Sequence, residues 1–209
     1  PKDVERAAGA GFVAGITTNP TLMRPHTDDP LGHLGRLLGL FGDGPIFYQP
    51  TTADAEGAER EVRAAVGMDP ERVVAKLPAR LDHVRLAARL SREGVRCALT
   101  AVFSPGQALL AHEAGCRWAI PYVDRAAREG GGGHDLIERL ARVLRAAHGE
   151  TRILAVSVKS AGQALSAVEA GAHAVSAPMA VIEALAQHPL TEEAITGFAA
   201  AYATTRTAD

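Results

Sequence analysis

Lysine is nearly absent from this chain: its 209 residues include three lysines and 19 arginines. Cysteine is also rare, with only Cys97 and Cys116, and aromatic residues make up 4% of the sequence. Two cysteines without a CxxC spacing exclude a disulfide framework and a structural zinc site, and they favour a reducing, cytoplasmic location. We interpret both cysteines as apolar core residues.

The sequence also lacks long apolar runs and blocks of like charge. No stretch approaches the roughly 20 apolar residues that a membrane helix needs, and no secretory signal opens the chain. The formal charge is −2 and acidic and basic residues are interleaved. Because no continuous basic face results, we expect neither a nucleic-acid nor a membrane partner.

Motifs for metals and phosphate loops are missing as well. The eight histidines show no HExxH or paired spacing, so we predict no metal site. The glycine run at 130–133 has no GxGxxG frame and no Lys-Ser or Lys-Thr after it. This run is therefore more typical of a flexible loop than of a phosphate cradle.

What the sequence does contain is an alternation of apolar and helical segments. Hydrophobic residues make up 47% of it, which suffices for one substantial core, and we predict a single domain over residues 1–209. Seven short apolar segments are predicted strands: 12–16, 45–49, 72–77, 96–102, 118–123, 152–158 and 173–178. Helical spacing occurs at 54–66, 82–93, 104–114, 134–148 and 160–170, and many of these segments close with glycine.

This alternation predicts a parallel sheet, and strands that are apolar along their whole length predict burial on both faces. Residues 1–10 show a helical pattern that begins with proline, which is typical of the second half of a βα unit. We therefore predict a (β/α)8 TIM barrel whose first strand is absent from this chain, with a C-terminal helix at about 190–204.

Lys76 stands at the end of the predicted strand 72–77. A lysine retained there in an arginine-rich chain indicates a task that guanidinium cannot perform, because only an amine loses its proton and attacks a carbonyl. The alternative is a lysine that merely reaches solvent or pairs with a carboxylate.

Polar side chains end nearly every other predicted strand. In a parallel barrel the catalytic groups lie at these carboxyl ends. The candidates are Thr17, Thr18, Asn19, Gln49, Thr100, Tyr122, Arg125, Ser157 and Lys159. Together they suit a polyhydroxylated, anionic small molecule. From the residues alone, the Thr-Asn-Pro segment is more typical of a turn and helix start, Gln49 of a plain strand end, and Tyr122 of a core aromatic.

These segments resemble the transaldolase family, and most closely its short members, which include fructose-6-phosphate aldolase. The resemblance covers about residues 15–178. It rests on GITTNPT at 15–21, VVAKLP at 73–78, LTAVFSPGQALLA at 99–111, PYVDR at 121–125 and SVKSAGQAL at 157–165. Each motif is weak alone, whereas their order and spacing together are specific.

The resemblance implies a class I aldol mechanism without metal or cofactor. Lys76 would form an iminium with a ketose phosphate and transfer or release a three-carbon dihydroxyacetone unit. Gln49, Thr100 and Tyr122 match the residues that hold a catalytic water, with Tyr122 as the acid/base. The pair of Gln49 and Tyr122 is similar to that of the aldolase members.

The resemblance also implies a substrate-binding set and an oligomer. Thr17 and Asn19 match contacts to the three-carbon unit, while Arg125, Ser157 and Lys159 match the phosphate site. Short members form ring-shaped homo-oligomers, pentamers or decamers, in which the C-terminal helix packs on a neighbour. The alanine-rich segment 192–202 is the candidate for that contact.

Three departures from the family pattern bear on activity. The aspartate that the family carries on its first strand has no counterpart in this chain. Ile120 stands where relatives place serine or alanine, and Ala98 where larger transaldolases use asparagine, so we expect both to shape a less polar donor pocket. The alternatives are a simple fructose-6-phosphate aldolase without transfer, an isomerase or other lyase in which Lys76 only polarises a carbonyl, and a catalytically impaired sugar-phosphate binder.

Overall fold

One parallel sheet organises the protein. The computed structural model describes residues 2–130 and 132–205. The strands are Ile16–Thr17 (β1), Ile46–Tyr48 (β2), Val73–Pro78 (β3), Cys97–Val102 (β4), Trp118–Pro121 (β5), Arg152–Ala155 (β6) and Ala174–Val175 (β7). They lie in chain order and every neighbouring pair is parallel. With helices between the strands, this is a TIM-barrel-like fold.

Helices follow the strands along the chain. They are Lys2–Ala10 (α1), Pro20–Met23 (α2), Pro30–Leu40 (α3), Ala55–Met68 (α4), Leu81–Arg92 (α5), Pro105–Glu113 (α6), Val123–Gly130 (α7), Gly133–Ala146 (α8), Ala161–Glu169 (α9), Met179–Ala184 (α10) and Pro189–Thr205 (α11). The five helical segments predicted between strands are all present, with ends shifted by a few residues. The sequence pattern missed α3 because three glycines dilute its leucines.

The first predicted strand was wrong over most of its length. Sheet pairing begins only at Ile16, whose N–H donates to the carbonyl of Pro45. Phe12, the first residue of that predicted strand, is 72% exposed. Apolar character therefore did not indicate burial at this edge of the sheet. The last strand is likewise shorter than predicted, covering Ala174–Val175 instead of 173–178.

Some predictions fall outside the described residues. Pro1, where the first helix was predicted to begin, Gly131 of the glycine run, and residues 206–209 are among them. No eighth strand occurs in the described ranges, and the absent first strand stays a prediction. Gly130 ends α7 and Gly133 begins α8, so these two glycines of the run belong to helix ends rather than to a loop.

The two faces of the sheet bury different side chains. The inner face carries one apolar cluster: Phe47, Val74, Ala98, Ile120, Leu154 and Val156. The outer face packs against the helices, with Ala75 and Leu77 of β3 in a larger cluster. Because side chains alternate along a strand, Lys76 takes an inner-face position between those two residues.

The two cysteines are core residues, as predicted. Cys97 and Cys116 are 1% and 2% exposed. Burial raises the pKa of the Cys97 thiol to about 11, so the thiol stays protonated at neutral pH. None of the helices in the described ranges combines the length and apolar character that a membrane crossing requires.

Two glycines make a matched test of backbone constraint. Gly44 has φ of 111°, and a Cβ there would lie 2.4 Å from the carbonyl oxygen of Ala14. Gly35 lies in α3 with open space around it. We expect Gly44→Ala to lower the free energy of unfolding by about 2–3 kcal/mol. Gly35→Ala should raise it by about 0.5–1 kcal/mol. Chemical denaturation measures both, and equal effects of the two substitutions would contradict the backbone geometry.

Candidate active site

Lys76 is a buried amine on the inner face of the sheet. Its side chain is 2% exposed, and Nζ donates a hydrogen bond of 2.9 Å to the carbonyl oxygen of Thr18. Burial alone lowers the pKa of Lys76 to about 8. No charged group among the described residues offsets this shift, so a substantial neutral fraction exists near neutral pH.

The partner of Lys76 is itself held in place. The Thr18 hydroxyl and the Thr18 N–H both donate to the carbonyl oxygen of Phe47, at 3.0 and 2.9 Å. Thr18 is 4% exposed. The Thr18 carbonyl therefore has a fixed position next to the amine. The family resemblance assigned roles to the residues on either side of Thr18 and none to Thr18 itself, because a backbone acceptor leaves no mark in a sequence.

Gln49 and Thr100 bring unpaired oxygens to the same end of the sheet. Tyr48 pairs with Ala75, so Gln49 continues that register beside Lys76. On the other side of β3, Thr100 pairs with Pro78. Gln49 Oε1 and Thr100 Oγ1 are buried and have no hydrogen-bond partner among the described residues. Since buried polar atoms are nearly always paired, these oxygens indicate a position for a water or a substrate hydroxyl.

A bulge in β4 follows Thr100 directly. The register of β4 against β5 shifts between Thr100 and Val102, and the intervening Ala101 has φ of 55°. Left-handed conformations are uncommon for residues other than glycine and cluster at functional sites. The bulge ends the regular pairing at the point where the strand reaches the site.

Tyr122 lies between an aromatic and a cationic side chain. The Phe103 ring makes an edge contact, with centroids 5.7 Å apart and an interplanar angle of 61°. The Arg125 guanidinium lies 5.4 Å from the Tyr122 ring centroid. Tyr122 is half-buried and bridges to Val156 of the next strand. This arrangement fixes the phenol at the carboxyl end of β5. The polar strand-end residues predicted from the sequence did not include Phe103, because its side chain is apolar.

The predicted phosphate residues lie around the starts of α7 and α9. Arg125 is in the first turn of α7, and Lys159 precedes Ser160, the N-cap of α9. Both cations are exposed, and neither has a carboxylate within 4 Å in the described part of the chain. Ser157 has φ of 61°, and its carbonyl accepts from the Asp124 N–H at 3.3 Å. Backbone N–H groups at helix starts favour anions.

Thr17 and Asn19 have partners within the protein. Thr17 Oγ1 lies 2.8 Å from Ser176 Oγ, which joins the end of β1 to the end of β7. Asn19 Oδ1 accepts from the Leu22 N–H at 2.8 Å and caps α2. The helix-start interpretation of Asn19 thus agrees with its geometry, and its amide NH2 is the group left for a ligand. Ser176 was not predicted as a site residue, because the last strand was predicted to extend to residue 178.

Ala98 and Ile120 close the site from below. Both are 0% exposed and belong to the inner-face cluster. Ala98 pairs with Lys76, and Ile120 pairs with Thr100. Apolar side chains therefore line the floor next to the amine. The described residues contain no group of three or more side chains placed to hold a metal ion.

Comparison with known proteins identifies the family. Residues 2–209 match the family described as Transaldolase/Fructose-6-phosphate aldolase. This chain belongs to that family. A protein of Anaeromyxobacter sp. named "Probable transaldolase" is 36% identical over 201 residues, with 95% of this chain and 91% of the relative covered. One from Symbiobacterium thermophilum with the same name is 34% identical over 196 residues, covering 94% and 90%.

The family consists of transferases and aldolases, and the chain is an enzyme of this type. Solved structures add information on the fold alone. A lactate oxidase of Pediococcus acidilactici superposes with a TM-score of 0.57 at 15% identity, covering 83% of this chain and 57% of the other. A mandelate oxidase gives 0.56 at the same identity. At such identities the similarity supports the TIM-barrel-like architecture and nothing about the reaction.

The buried amine makes stability depend on pH. The pKa of Lys76 is about 8 in the folded chain and about 10.5 in the unfolded chain, so the unfolded state binds more protons between these values and stability rises with pH there. Lys76→Met removes the buried charge. Below pH 8 we expect this variant to be more stable by about 3 kcal/mol at most, less the lost hydrogen bond. The gain should vanish by about pH 10.5.

Denaturant midpoints from pH 7 to 10.5 test this expectation. Lys2→Met is the matched control, because Lys2 is exposed in α1. A stability difference between wild type and Lys76→Met that does not change with pH would mean that the amine is not neutralised by burial.

Proposed function

We propose that this chain is a class I transaldolase or aldolase that uses Lys76 as its Schiff-base nucleophile on phosphorylated sugars. The observation that carries the proposal is the buried Lys76 amine with a pKa of about 8. With that pKa, about one amine in ten is neutral at pH 7, against about one in several thousand for an ordinary lysine. Only the neutral amine attacks a carbonyl.

The proposed reaction begins when Nζ of Lys76 adds to the keto carbon of a ketose phosphate. Loss of water gives the iminium. The bond between the carbon next to the iminium carbon and the hydroxyl-bearing carbon after it then breaks: its electron pair moves toward the iminium nitrogen, and that hydroxyl loses its proton to become the aldehyde. An aldose phosphate leaves, and a three-carbon enamine stays on Lys76. Transfer adds this enamine to another aldose, whereas hydrolysis after protonation releases dihydroxyacetone.

Gln49, Thr100 and Tyr122 are proposed to hold the water that moves these protons. The unpaired oxygens of Gln49 and Thr100 support this role, because each needs a donor and a water supplies two. Tyr122 would exchange a proton through this water as the acid/base. Its phenol O–H serves first as a donor.

Arg125, Ser157 and Lys159 are proposed to bind the substrate phosphate, with Thr17 and Asn19 near the three-carbon unit. The two exposed cations and the helix starts beside them support an anion site. One carboxylate lies nearby: Asp124, whose pKa is lowered first by Arg128 and then by Gln163. Those two partners engage Asp124, which limits its repulsion of a phosphate.

Ala98 and Ile120 are proposed to select the donor sugar. Their apolar side chains offer no hydrogen bond to a terminal hydroxyl, and the branched Ile120 takes space beside Thr100. A donor with a less polar or smaller end suits this floor better than one with an extra hydroxyl, because burying an unpaired hydroxyl costs free energy.

Two narrower alternatives each have a specific support. The pairing of Gln49 with Tyr122 favours a fructose-6-phosphate aldolase that releases the three-carbon unit without transfer. The lack of a charged partner for Lys76 in the described part of the chain favours an impaired sugar-phosphate binder, since burial is the sole cause of its pKa shift. Product analysis with and without an aldose phosphate acceptor separates transfer from release, and binding without turnover identifies the third case.

Borohydride trapping tests the nucleophile. Wild-type protein incubated with fructose 6-phosphate or another ketose phosphate and then reduced should carry a covalent adduct on Lys76, located by peptide mass spectrometry. Adduct formation should rise with pH and level off above about pH 8, because the neutral amine is the reactive form. Lys76→Arg should abolish the adduct, since guanidinium does not form the iminium.

The three lysines make the control simple. Lys2→Arg should leave the adduct unchanged, because Lys2 is an exposed residue of α1. A panel of ketose phosphates that leaves Lys76 unmodified at every pH would overturn the Schiff-base mechanism.

We also propose a homo-oligomer that uses α11. All residues from 189 to 203 are exposed, including Ile195, Phe198 and Tyr202 on one helix face. Phe198→Asp should shift the protein to a smaller species in sedimentation velocity, because it places a charge in the apolar contact. Thr196→Asp on the same helix is the control and should leave the assembly intact. A wild-type chain that sediments as a monomer at all concentrations would contradict the proposal.

A further inference from the structure

The carboxylate of Glu61, in the middle of α4, accepts hydrogen bonds from the end of β2 and the segment that follows it. Tyr48 Oη donates to Oε1 at 2.6 Å, and the Thr51 N–H donates to both carboxylate oxygens at 2.9 and 3.0 Å. The Thr51 hydroxyl, the Thr52 hydroxyl and the Thr52 N–H donate to Oε2 at 3.0, 3.0 and 3.3 Å. Five donor groups thus converge on one side chain.

All of these donors are neutral. In the described part of the chain, no cationic side chain lies within salt-bridge distance of Glu61, although its neighbours Glu59 and Arg60 on α4 both form ion pairs. Burial opposes ionisation of Glu61, and the hydrogen bonds from Tyr48, Thr51 and Thr52 outweigh it, so the pKa of Glu61 is lowered. Burial, followed by the bond to Glu61, raises the pKa of Tyr48. Glu61 therefore stays an anion and Tyr48 a donor at neutral pH.

The donors bracket Gln49 in the sequence. Tyr48 precedes Gln49 and is 0% exposed on the outer face of the sheet. Since side chains alternate along a strand, the Gln49 side chain shares the inner face with Phe47 and lies beside Lys76. Thr51 follows after one proline. The backbone on both sides of Gln49 is thus tied to one carboxylate of a neighbouring helix.

We propose that Glu61 is a positioning residue that fixes Gln49 for the reaction at Lys76. The inference rests on the proposed function, because it assigns a catalytic consequence to the fixed position of Gln49. Glu61 acts from the outer face of the sheet and does not touch the substrate. Its effect passes through the backbone of residues 48–52, which sets the distance from Gln49 Oε1 to the water shared with Thr100 and Tyr122.

Glu61 affects the reaction rate through the position of Gln49 and not through its own charge. Burial is the only cause of the lowered pKa of Lys76, and Glu61 does not contribute to it. Removing the Glu61 charge therefore leaves the proton affinity of the amine unchanged. A misplaced Gln49, in contrast, slows each step in which the shared water moves a proton.

Glu61→Gln is the principal variant, because an amide keeps the size of the side chain but has one acceptor oxygen and turns an NH2 group toward donors. We expect kcat to fall by about ten- to a hundredfold, with KM changed by less than about threefold. The pH dependence of adduct formation on Lys76 should stay as in wild type. Tyr48→Phe removes one of the five donors and should give a smaller loss of kcat.

A double-mutant cycle separates positioning from general damage. Glu61→Gln in a Gln49→Ala background should cause little further loss of kcat, within about twofold, because the residue that it positions is already gone. If the two losses multiply, Glu61 does not act through Gln49 and the proposal is wrong. Glu59→Gln makes the same chemical change two residues away on α4, at a side chain that pairs with Arg63 and Arg89, and should leave kcat unchanged.

Amide hydrogen exchange gives a readout that does not need catalysis. Glu61→Gln should speed exchange of the Thr51 and Thr52 N–H groups by about tenfold or more, because both lose their carboxylate acceptor, whereas Glu59→Gln should not. Unchanged exchange in Glu61→Gln would show that Glu61 does not hold the backbone of Thr51 and Thr52, and the proposal would be wrong. If exchange is faster in Glu61→Gln but the wild-type protein forms no adduct on Lys76, the Schiff-base function and the catalytic role of Glu61 are both wrong. The hydrogen bonds of Glu61 to Thr51 and Thr52 would still stand.

Discussion

Burial of one amine in an apolar sheet is the constraint on which the rest of this site depends. An inner-face position costs the charged form of Lys76 its hydration, and no carboxylate among the described residues compensates for this loss. The neighbouring groups match an uncharged amine: a backbone carbonyl accepts its hydrogen bond, and alanine and isoleucine form the floor beside it.

The two faces of the sheet have different roles. The inner face carries the groups that we propose to meet the substrate, two of them with unpaired oxygens, while the outer face supplies contacts that fix the backbone. Glu61 lies on α4, against the outer face, and accepts from neutral donors at the end of β2 and just after it. A parallel sheet allows this separation because consecutive residues point to opposite sides.

The sequence was most informative where its pattern is local. Alternation of apolar strands and helices predicted the sheet, and the rarity of lysine singled out Lys76 before any fold was known. The start of β1 was predicted wrongly because Phe12 is apolar yet exposed, and α3 was missed because glycines interrupt its leucines. The role of Glu61 could not be predicted for another reason. A glutamate in an amphipathic helix is typical of its solvent-facing side, and the hydrogen-bond partners of Glu61 lie in a different part of the chain. Long-range contacts of this kind have no signature in a single sequence.

The hydroxyl contact between Thr17 and Ser176 has a consequence for the order in which the molecule forms. These residues are 159 positions apart, and contacts between such distant segments form slowly because a long loop must close first. The carbonyl that orients Lys76 belongs to Thr18, the next residue along the chain. A nascent or partly folded chain can build the central strands around Lys76 without that neighbour. Pairing of β1 with β2, which ties Thr18 to Phe47, brings that carbonyl to the amine, and the Thr17–Ser176 contact then joins the two ends of the sheet.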